Sequence, residues 1–172
     1  MHPQTTRRVV VGVDGAPRTV AALRWAATEA LQRDAELVAV HAWGTVLRPA
    51  SYAPVNECAD PDESAARAKA LLAAALRQAF GTAPPVPVRE VVDDRSVVPA
   101  LLSQARRAEL LVIATRAPDL PDGRPFETGP GSTTLSCLRQ APCPVVVLPT
   151  VGDRVRESVS WPAGDERPPT LV

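Results

Sequence analysis

The chain is short of several things, and each shortage excludes a class of protein. Eighteen of its nineteen basic residues are arginine, and Lys69 is the only lysine. Any chemistry that needs a lysine therefore has one place to look, inside an alanine-rich helical run. Net charge is missing too. Nineteen acidic residues balance the nineteen basic ones, and the pI is near 6.7. That balance removes the electrostatic footprint of a general nucleic-acid or membrane-surface binder. Cysteine is scarce: Cys58, Cys137 and Cys143 are odd in number and form no C-x-x-C pair, so they support neither a disulfide framework nor a zinc site. Long apolar runs are absent. Arg7 and Arg8 precede a valine-rich stretch, but Asp14 interrupts it short of the roughly 7–15 apolar residues of an export signal. Nothing approaches the roughly 18 consecutive apolar residues of a membrane span. The expectation from these absences is a cytoplasmic protein without membrane or nucleic-acid partners.

What is present fits one globular unit. The chain has 172 residues, 45% hydrophobic and 22% charged, the balance of a folded soluble domain. A core of that size needs no covalent staple. From Arg8 the sequence runs Arg-Val-Val-Val-Gly-Val-Asp-Gly, a short β-branched stretch stopped by the turn pair Asp14-Gly15. Val20, Leu23, Ala27, Ala30 and Leu31 then fall at helical spacing. A second apolar run spans 37–42, followed by a proline-bearing loop over 44–62. Ala65, Ala68, Leu72, Leu76 and Ala79 mark a second helix from about Glu63 to Phe80, closed by Gly81 and Pro84-Pro85.

Val86, Val88 and Val92 predict a third strand near a sheet edge. Asp93-Asp94 opens a third helix carrying Val98, Leu101, Leu102 and Ala105, with Pro99 tolerable in its first turn. Residues 110–114 read as a fourth strand, 132–139 as a short helix and 145–148 as a fifth strand. Composition changes after Pro149, which predicts one domain over residues 1–149 and a flexible tail over 150–172. Five strands alternating with four helices imply an α/β fold, a parallel sheet covered on both faces. In such sheets ligands sit at the carboxyl ends of the strands, where the winding reverses. The residues after strands one and four, from Asp14 and from Ala114, therefore head the search for a site.

Three blocks carry a family resemblance: Val-Val-Val-Gly-Val-Asp-Gly-Ala-Pro near the start, Val-His-Ala-Trp after the second strand, and Gly-Ser-Thr…Leu-Arg-Gln-Ala-Pro-Cys-Pro-Val-Val-Val-Leu-Pro at the end. In this order and separation they resemble a universal stress protein domain. The resemblance implies a three-layer, doubly wound, Rossmann-like sheet of five parallel strands in the order 3-2-1-4-5. It also implies an adenine-nucleotide site and a homodimer, often through the last strand, here 145–148. In ATP-binding members an Asp after strand one and the backbone ending strand two hold the adenosine. These map onto Asp14 and Ala42.

A glycine motif (Gly, two residues, Gly, nine residues, Gly-Ser or Gly-Thr) wraps the phosphates in those members, and magnesium accompanies the nucleotide. Here that stretch starts at Ala114, with Arg116 and Ala117 after it, and ends at Gly131, Ser132 and Thr133. Both early glycine positions are alanine, and thirteen residues separate Ala117 from Gly131. An alanine in a left-handed conformation costs about 1–2 kcal/mol. Where phosphate must approach closely, the added Cβ intrudes. A loss of roughly 3 kcal/mol over both positions weakens binding about a hundredfold.

Two functions compete on this reading. One is a non-enzymatic stress-response module that binds ATP weakly or not at all and acts through self-association or a protein partner. The other is a competent ATP switch or slow ATPase, with loop 118–130 supplying replacement contacts. Each feature also has a plain structural reading. Asp14 is equally a turn former, and Ser132 a helix cap. Arg116 faces solvent or reaches a phosphate. His41 has no metal-ligand spacing around it and reads as a satisfied structural histidine, and Cys143 as a small buried residue. A phosphorylation receiver, with Asp93 or Asp94 as acceptor, fails because no lysine follows the fifth strand. A Walker-type loop and a Gly-x-Ser-x-Gly elbow are both absent.

Overall fold

The structure, a computed structural model, describes residues 7–44, 61–116, 131–151 and 154–155. Strand β1 (Arg8–Gly12) leads into helix α1 (Pro17–Gln32), followed by β2 (Glu36–Ala42), α2 (Pro61–Phe80), β3 (Val88–Asp93) and α3 (Val97–Ala105). Strand β4 (Leu110–Arg116), α4 (Ser132–Gln140), β5 (Val145–Val151) and the two-residue β6 (Arg154–Val155) complete the order. One sheet joins all the strands in the order β3-β2-β1-β4-β5-β6. The first five are parallel to their neighbours, and β6 is antiparallel to β5. The doubly wound 3-2-1-4-5 sheet expected from the sequence is thus the observed one, extended at one edge by β6.

Because side chains alternate along a strand, the valine runs feed two cores. Val9, Val11, Leu37, Ala39 and Val112 point to one face, beneath α1 and α2. Val10, Val38, Val40, Leu111 and Ile113 point to the other, beneath α3 and α4. The inner face of α1 is largely alanine: Ala22, Ala26, Ala27 and Ala30 are 0–1% exposed. Such small side chains bring the helix axis close to the sheet. Leu31, read from spacing as part of this stripe, is instead 60% exposed. It sits one position past Ala30, where the helix has turned its face to solvent.

Three departures from the sequence reading have a clear physical reason. Helix α3 does not open at Asp93-Asp94. Asp93 is the last residue of β3, Ser96 is the N-cap, and the Asp93 carboxylate accepts the Arg95 backbone N–H at 2.9 Å. Helix α4 is capped at its start by Gly131 with no side-chain bond, so Ser132 does not cap it.

Strand β5 continues through Pro149 to Val151, past the position where the sequence reading ended it. The Leu111 N–H donates to the Pro144 carbonyl, which fixes the parity of this ladder. Residues 145, 147 and 149 therefore turn their backbone groups away from β4. The N–H that proline lacks would have faced outward, so no rung between β4 and β5 is lost. Most of the predicted tail, and loop 45–60, lie outside the described residues.

The end of β2 is locked to the turn before α3. The Trp43 N–H donates to the Asp93 carbonyl at 3.0 Å, and the Gly44 N–H to the Arg95 carbonyl at 3.2 Å. A Cβ on Gly44 would lie 2.0 Å from the Asp94 carbonyl oxygen and 2.5 Å from the Arg95 carbonyl carbon. These are backbone atoms that cannot swing aside. Gly44→Ala is expected to destabilise the fold by about 1–3 kcal/mol, the cost typical of overpacking. Gly131→Ala, which has nothing within 4 Å, should cost no more than about 1 kcal/mol. Urea titration of the two variants compares them directly.

Candidate functional site

Helix α1 crosses one face of the sheet and α3 the other, so a crevice opens between the carboxyl ends of β1 and β4. It is a cleft of about 380 Å³. Gly12, Val40, Leu101 and Ile113 form its apolar floor and walls. Polar groups come from Asp14, Arg18 and Thr19 on one side, His41 and Ala42 at the end of β2, and Thr133 and Thr134 on α4.

Asp14 is both the turn former and a wall of the cleft. Its Oδ1 accepts the Ala16 N–H at 2.9 Å and the buried Thr19 hydroxyl at 2.6 Å, which bends the chain from β1 into α1. Gly15 takes the left-handed conformation that this bend requires, with φ +78°. The Arg18 guanidinium pairs with Oδ2. Burial acts most strongly on Asp14 and pushes its carboxyl upward, but the Thr19 hydroxyl, the Ala16 amide and Arg18 together outweigh it and hold the pKa below the ordinary value.

The backbone of β2 runs out of partners beside this turn. The Val13 N–H donates to the Val40 carbonyl at 2.8 Å, the last rung between β1 and β2. By ladder parity the N–H and carbonyl of Ala42 turn the same way as those of Val40. No residue of β1 remains opposite them, so they border the cleft. The Val13 carbonyl, where the next rung would form, instead accepts His41 Nδ1 at 2.7 Å. This bond pins the end of β1 to β2 and fits the structural reading of His41, although its ring also lines the cleft.

On the opposite wall, Ala114 lies within β4 and lines the cleft, and its side chain packs against the core beneath α1 and α2. Among the described residues Asp34 alone, apart from glycine, has a positive φ. Ala114 therefore carries no left-handed strain, and only the bulk of its Cβ remains of the two costs considered for a glycine-to-alanine change. Arg116 ends β4, where its backbone pairs in register with Thr150. Ala117 and loop 118–130 lie outside the described residues. Helix α4 starts at the cleft with its first N–H groups uncapped by any side chain. Ser132 is exposed beside Gly131, Thr133 lines the cleft, and Thr134 is buried there.

Asp14, Ala42, Ala114 and Thr133 are thus brought to one cavity, with Gly131 and Ser132 next to it. Sequence reasoning overlooked Arg18, Thr19 and Thr134. Arg18 and Thr19 stand four and five residues after Asp14, within reach of a carboxylate at the start of a helix, and that spacing was the available signal.

Several other groups stand apart from the cleft. Lys69 is exposed on α2 and borders a separate hollow with Trp43, Asp94 and Arg95. Burial pushes the thiols of Cys137 and Cys143 up, the opposite of a reactive thiolate. The described residues contain no group of three or more His, Cys, Asp or Glu able to hold a metal. None of the described helices is long and apolar enough to cross a membrane.

With this geometry in hand, comparison with known proteins is decisive for the family. A model of the universal stress protein family matches residues 5–149. The chain belongs to that family. The universal stress protein Rv3134c of Mycobacterium tuberculosis is 32% identical over 146 residues, covering 85% of this chain and 50% of that protein. Universal stress protein Rv2005c of the same organism is 35% identical over 143 residues, covering 81% of this chain and 44% of that protein. The chain thus spans about half the length of these curated relatives.

Among solved structures, universal stress protein UspA from Lactobacillus plantarum superimposes with a TM-score of 0.58 at 23% identity, covering 82% of this chain and 96% of that one. A universal stress protein family protein from Arabidopsis thaliana, crystallised with AMP bound, gives a TM-score of 0.51 at 15% identity, covering 92% of this chain and 99% of that one. At these identities the structural matches establish the fold.

The carboxylates of the turns set an acid limit on stability. Arg95 holds Asp93 below its ordinary pKa of 3.8 through side-chain hydrogen bonds, outweighing the opposing effect of burial. Asp14 is also held below 3.8. In both cases the native state binds fewer protons than the unfolded chain. The resulting stabilisation is complete above the unfolded value and is lost as pH falls through the native one. The thermal midpoint should therefore fall as pH drops from about 4 toward 2. Asp93→Asn should flatten part of that fall, as read by differential scanning calorimetry.

Proposed function

We propose that this chain is a non-enzymatic stress-response module whose cleft holds the adenosine end of an adenine nucleotide and grips ATP only weakly. The observation that carries this reading is the conjunction at one crevice of the Asp14 carboxylate, the backbone groups of Ala42 that no described residue of β1 pairs and an apolar floor. A flat heteroaromatic ring suits such a floor, and edge groups and hydroxyls suit the polar rim. A protein of this fold and family crystallised with AMP makes adenine nucleotides the first ligands to test.

The residues fit the two halves of such a ligand unequally. Acceptors and donors suited to base and ribose are present. On the phosphate side, Ala114 stands at the β4 wall in place of the glycine that a close backbone cradle would use. The uncapped amides of α4 favour a second reading, a competent ATP switch or slow ATPase, because a helix start attracts anions. Isothermal titration with AMP, ATP and magnesium-ATP separates the two. The proposal expects Asp14-dependent binding of AMP, lost in Asp14→Ala, with ATP no tighter than tens of micromolar. Tighter ATP binding, or steady ADP release by the purified chain, would establish the second reading instead.

The module acts, on this proposal, through a homodimer or a protein partner. The outward-facing backbone groups of β5 support strand-edge association through 145–148. Strand β6 pairs only with Thr150 and Val151, and an open edge is a template for pairing. Val147 turns its N–H outward, so Val147→Pro removes an edge donor without breaking a rung to β4. Light scattering at micromolar concentration should give a dimer mass for the native chain and a monomer mass for Val147→Pro. A native monomer overturns the dimer.

A further inference from the structure

We infer that Arg18 sets the ligand selectivity of the cleft: its guanidinium holds the available oxygen of Asp14 and transfers to the anionic group of a phosphorylated adenosine, so that nucleotide is preferred to nucleoside. The inference rests on the adenine-nucleotide reading above and adds the residue that discriminates within that class.

The argument starts from the two oxygens of Asp14. Oδ1 is consumed within the turn by the Ala16 N–H and the Thr19 hydroxyl. Among the described residues, Oδ2 is engaged by Arg18 alone. A ligand hydroxyl seeking this carboxylate therefore meets an oxygen already paired with a guanidinium, and its bond is weakened by that charge.

Charge sharpens this competition. Asp14 and Arg18 are the only acidic residue and the only arginine or lysine on the described lining of the cleft. A neutral ligand that displaces Arg18 exchanges a charge-assisted bond for a weaker one and leaves the guanidinium unpaired. A phosphate offers that guanidinium an equivalent anionic partner, with matching planar geometry. The exchange is then nearly even for the arginine, while the ligand keeps its bond to Asp14.

The position of Arg18 permits the movement. It is the second residue of α1, after Pro17, so its backbone is fixed by the helix start. Its side chain is 30% exposed and lines the cleft, with its guanidinium on Asp14. Thr133 and Thr134, at the start of α4, line the same cleft. A phosphate held between Arg18 and the α4 amides would be met from both sides. An i,i+4 pair serving only the helix would behave differently, because its removal would alter the affinities of nucleoside and nucleotide alike.

Isothermal titration of the full chain with adenosine and with AMP tests this, on the native protein, Arg18→Gln and Arg18→Lys, with circular dichroism to verify folding. The native protein should prefer AMP to adenosine by about tenfold or more, the scale of one charge-assisted hydrogen bond. Arg18→Gln should bind adenosine more tightly than the native chain and AMP more weakly, bringing the ratio near one. Arg18→Lys should keep part of the preference. Adenosine binding that appears only in Arg18→Gln also supports the inference. If both ligands bind the native chain and Arg18→Gln with an unchanged ratio, the selectivity role of Arg18 is overturned and the nucleotide reading stands. If neither ligand binds any of the three proteins at millimolar concentration, both are overturned. Should Arg18→Gln fail to fold, an unchanged ratio in Arg18→Lys overturns the selectivity role and a reduced ratio supports it.

Discussion

The end of pairing between β1 and β2 is the constraint on which the rest of this molecule depends. Val13 makes the last rung to Val40, and the chain then turns away through Asp14 and Gly15 into α1. That departure leaves Ala42 with β3 on one side and no β1 residue on the other, and opens the crevice beside β4. It is stable because the turn satisfies itself: Asp14 bonds Ala16 and Thr19, while His41 takes the Val13 carbonyl that β2 no longer reaches. Buried backbone groups that lose a sheet partner must find another, and here side chains supply it. The unpaired edge that remains is the one facing the cavity.

This arrangement depends in turn on a rigid frame. Valine-rich strands present branched side chains to both faces, and alanines on α1 let the helix lie close over β1 and β4. On the far side, Gly44 packs against the backbone of Asp94 and Arg95, and Asp93 ties the same turn through Arg95. The ends of β2 and β3 are therefore clamped to the start of α3, whose Val97 and Leu101 wall the cleft. A shift in that clamp would move the apolar wall of the cleft.

Much of this was legible from residue order alone. Strand and helix alternate with unambiguous period, and a β-branched run halted by Asp14-Gly15 marks both the turn and the switch point. What escaped was chemistry that depends on three-dimensional parity. Nothing in the local sequence says that Pro149 turns its missing donor outward, so the strand seemed to stop there. Asp93-Asp94 looks like a helix opening because acidic residues favour that place. In the fold Asp93 serves a turn instead, and Ser96 takes the cap. Leu31 fits a helical stripe by count but falls past the arc that faces the sheet. Arg18 and Thr19 were legible as the start of a helix and illegible as partners of Asp14, because a helical pattern does not say what its first turn faces.

The division within the cleft follows from how each half is built. On the proposed nucleotide reading, the base and ribose side uses features that no single substitution creates: a strand end that no described residue pairs, a self-supported carboxylate and an apolar floor shared by β1, β2, α3 and β4. On that reading the phosphate side depends on close backbone approach, and there Ala114 stands in place of a glycine. A fold can thus retain its grip on one end of a ligand while the other end loosens, since the two ends rest on different physical requirements. Arg18 stands between them, bonded to the carboxylate yet carrying a charge that an anionic group can claim. In a cavity whose described lining carries one ion pair, the proposed selectivity follows from the partner that the cation takes.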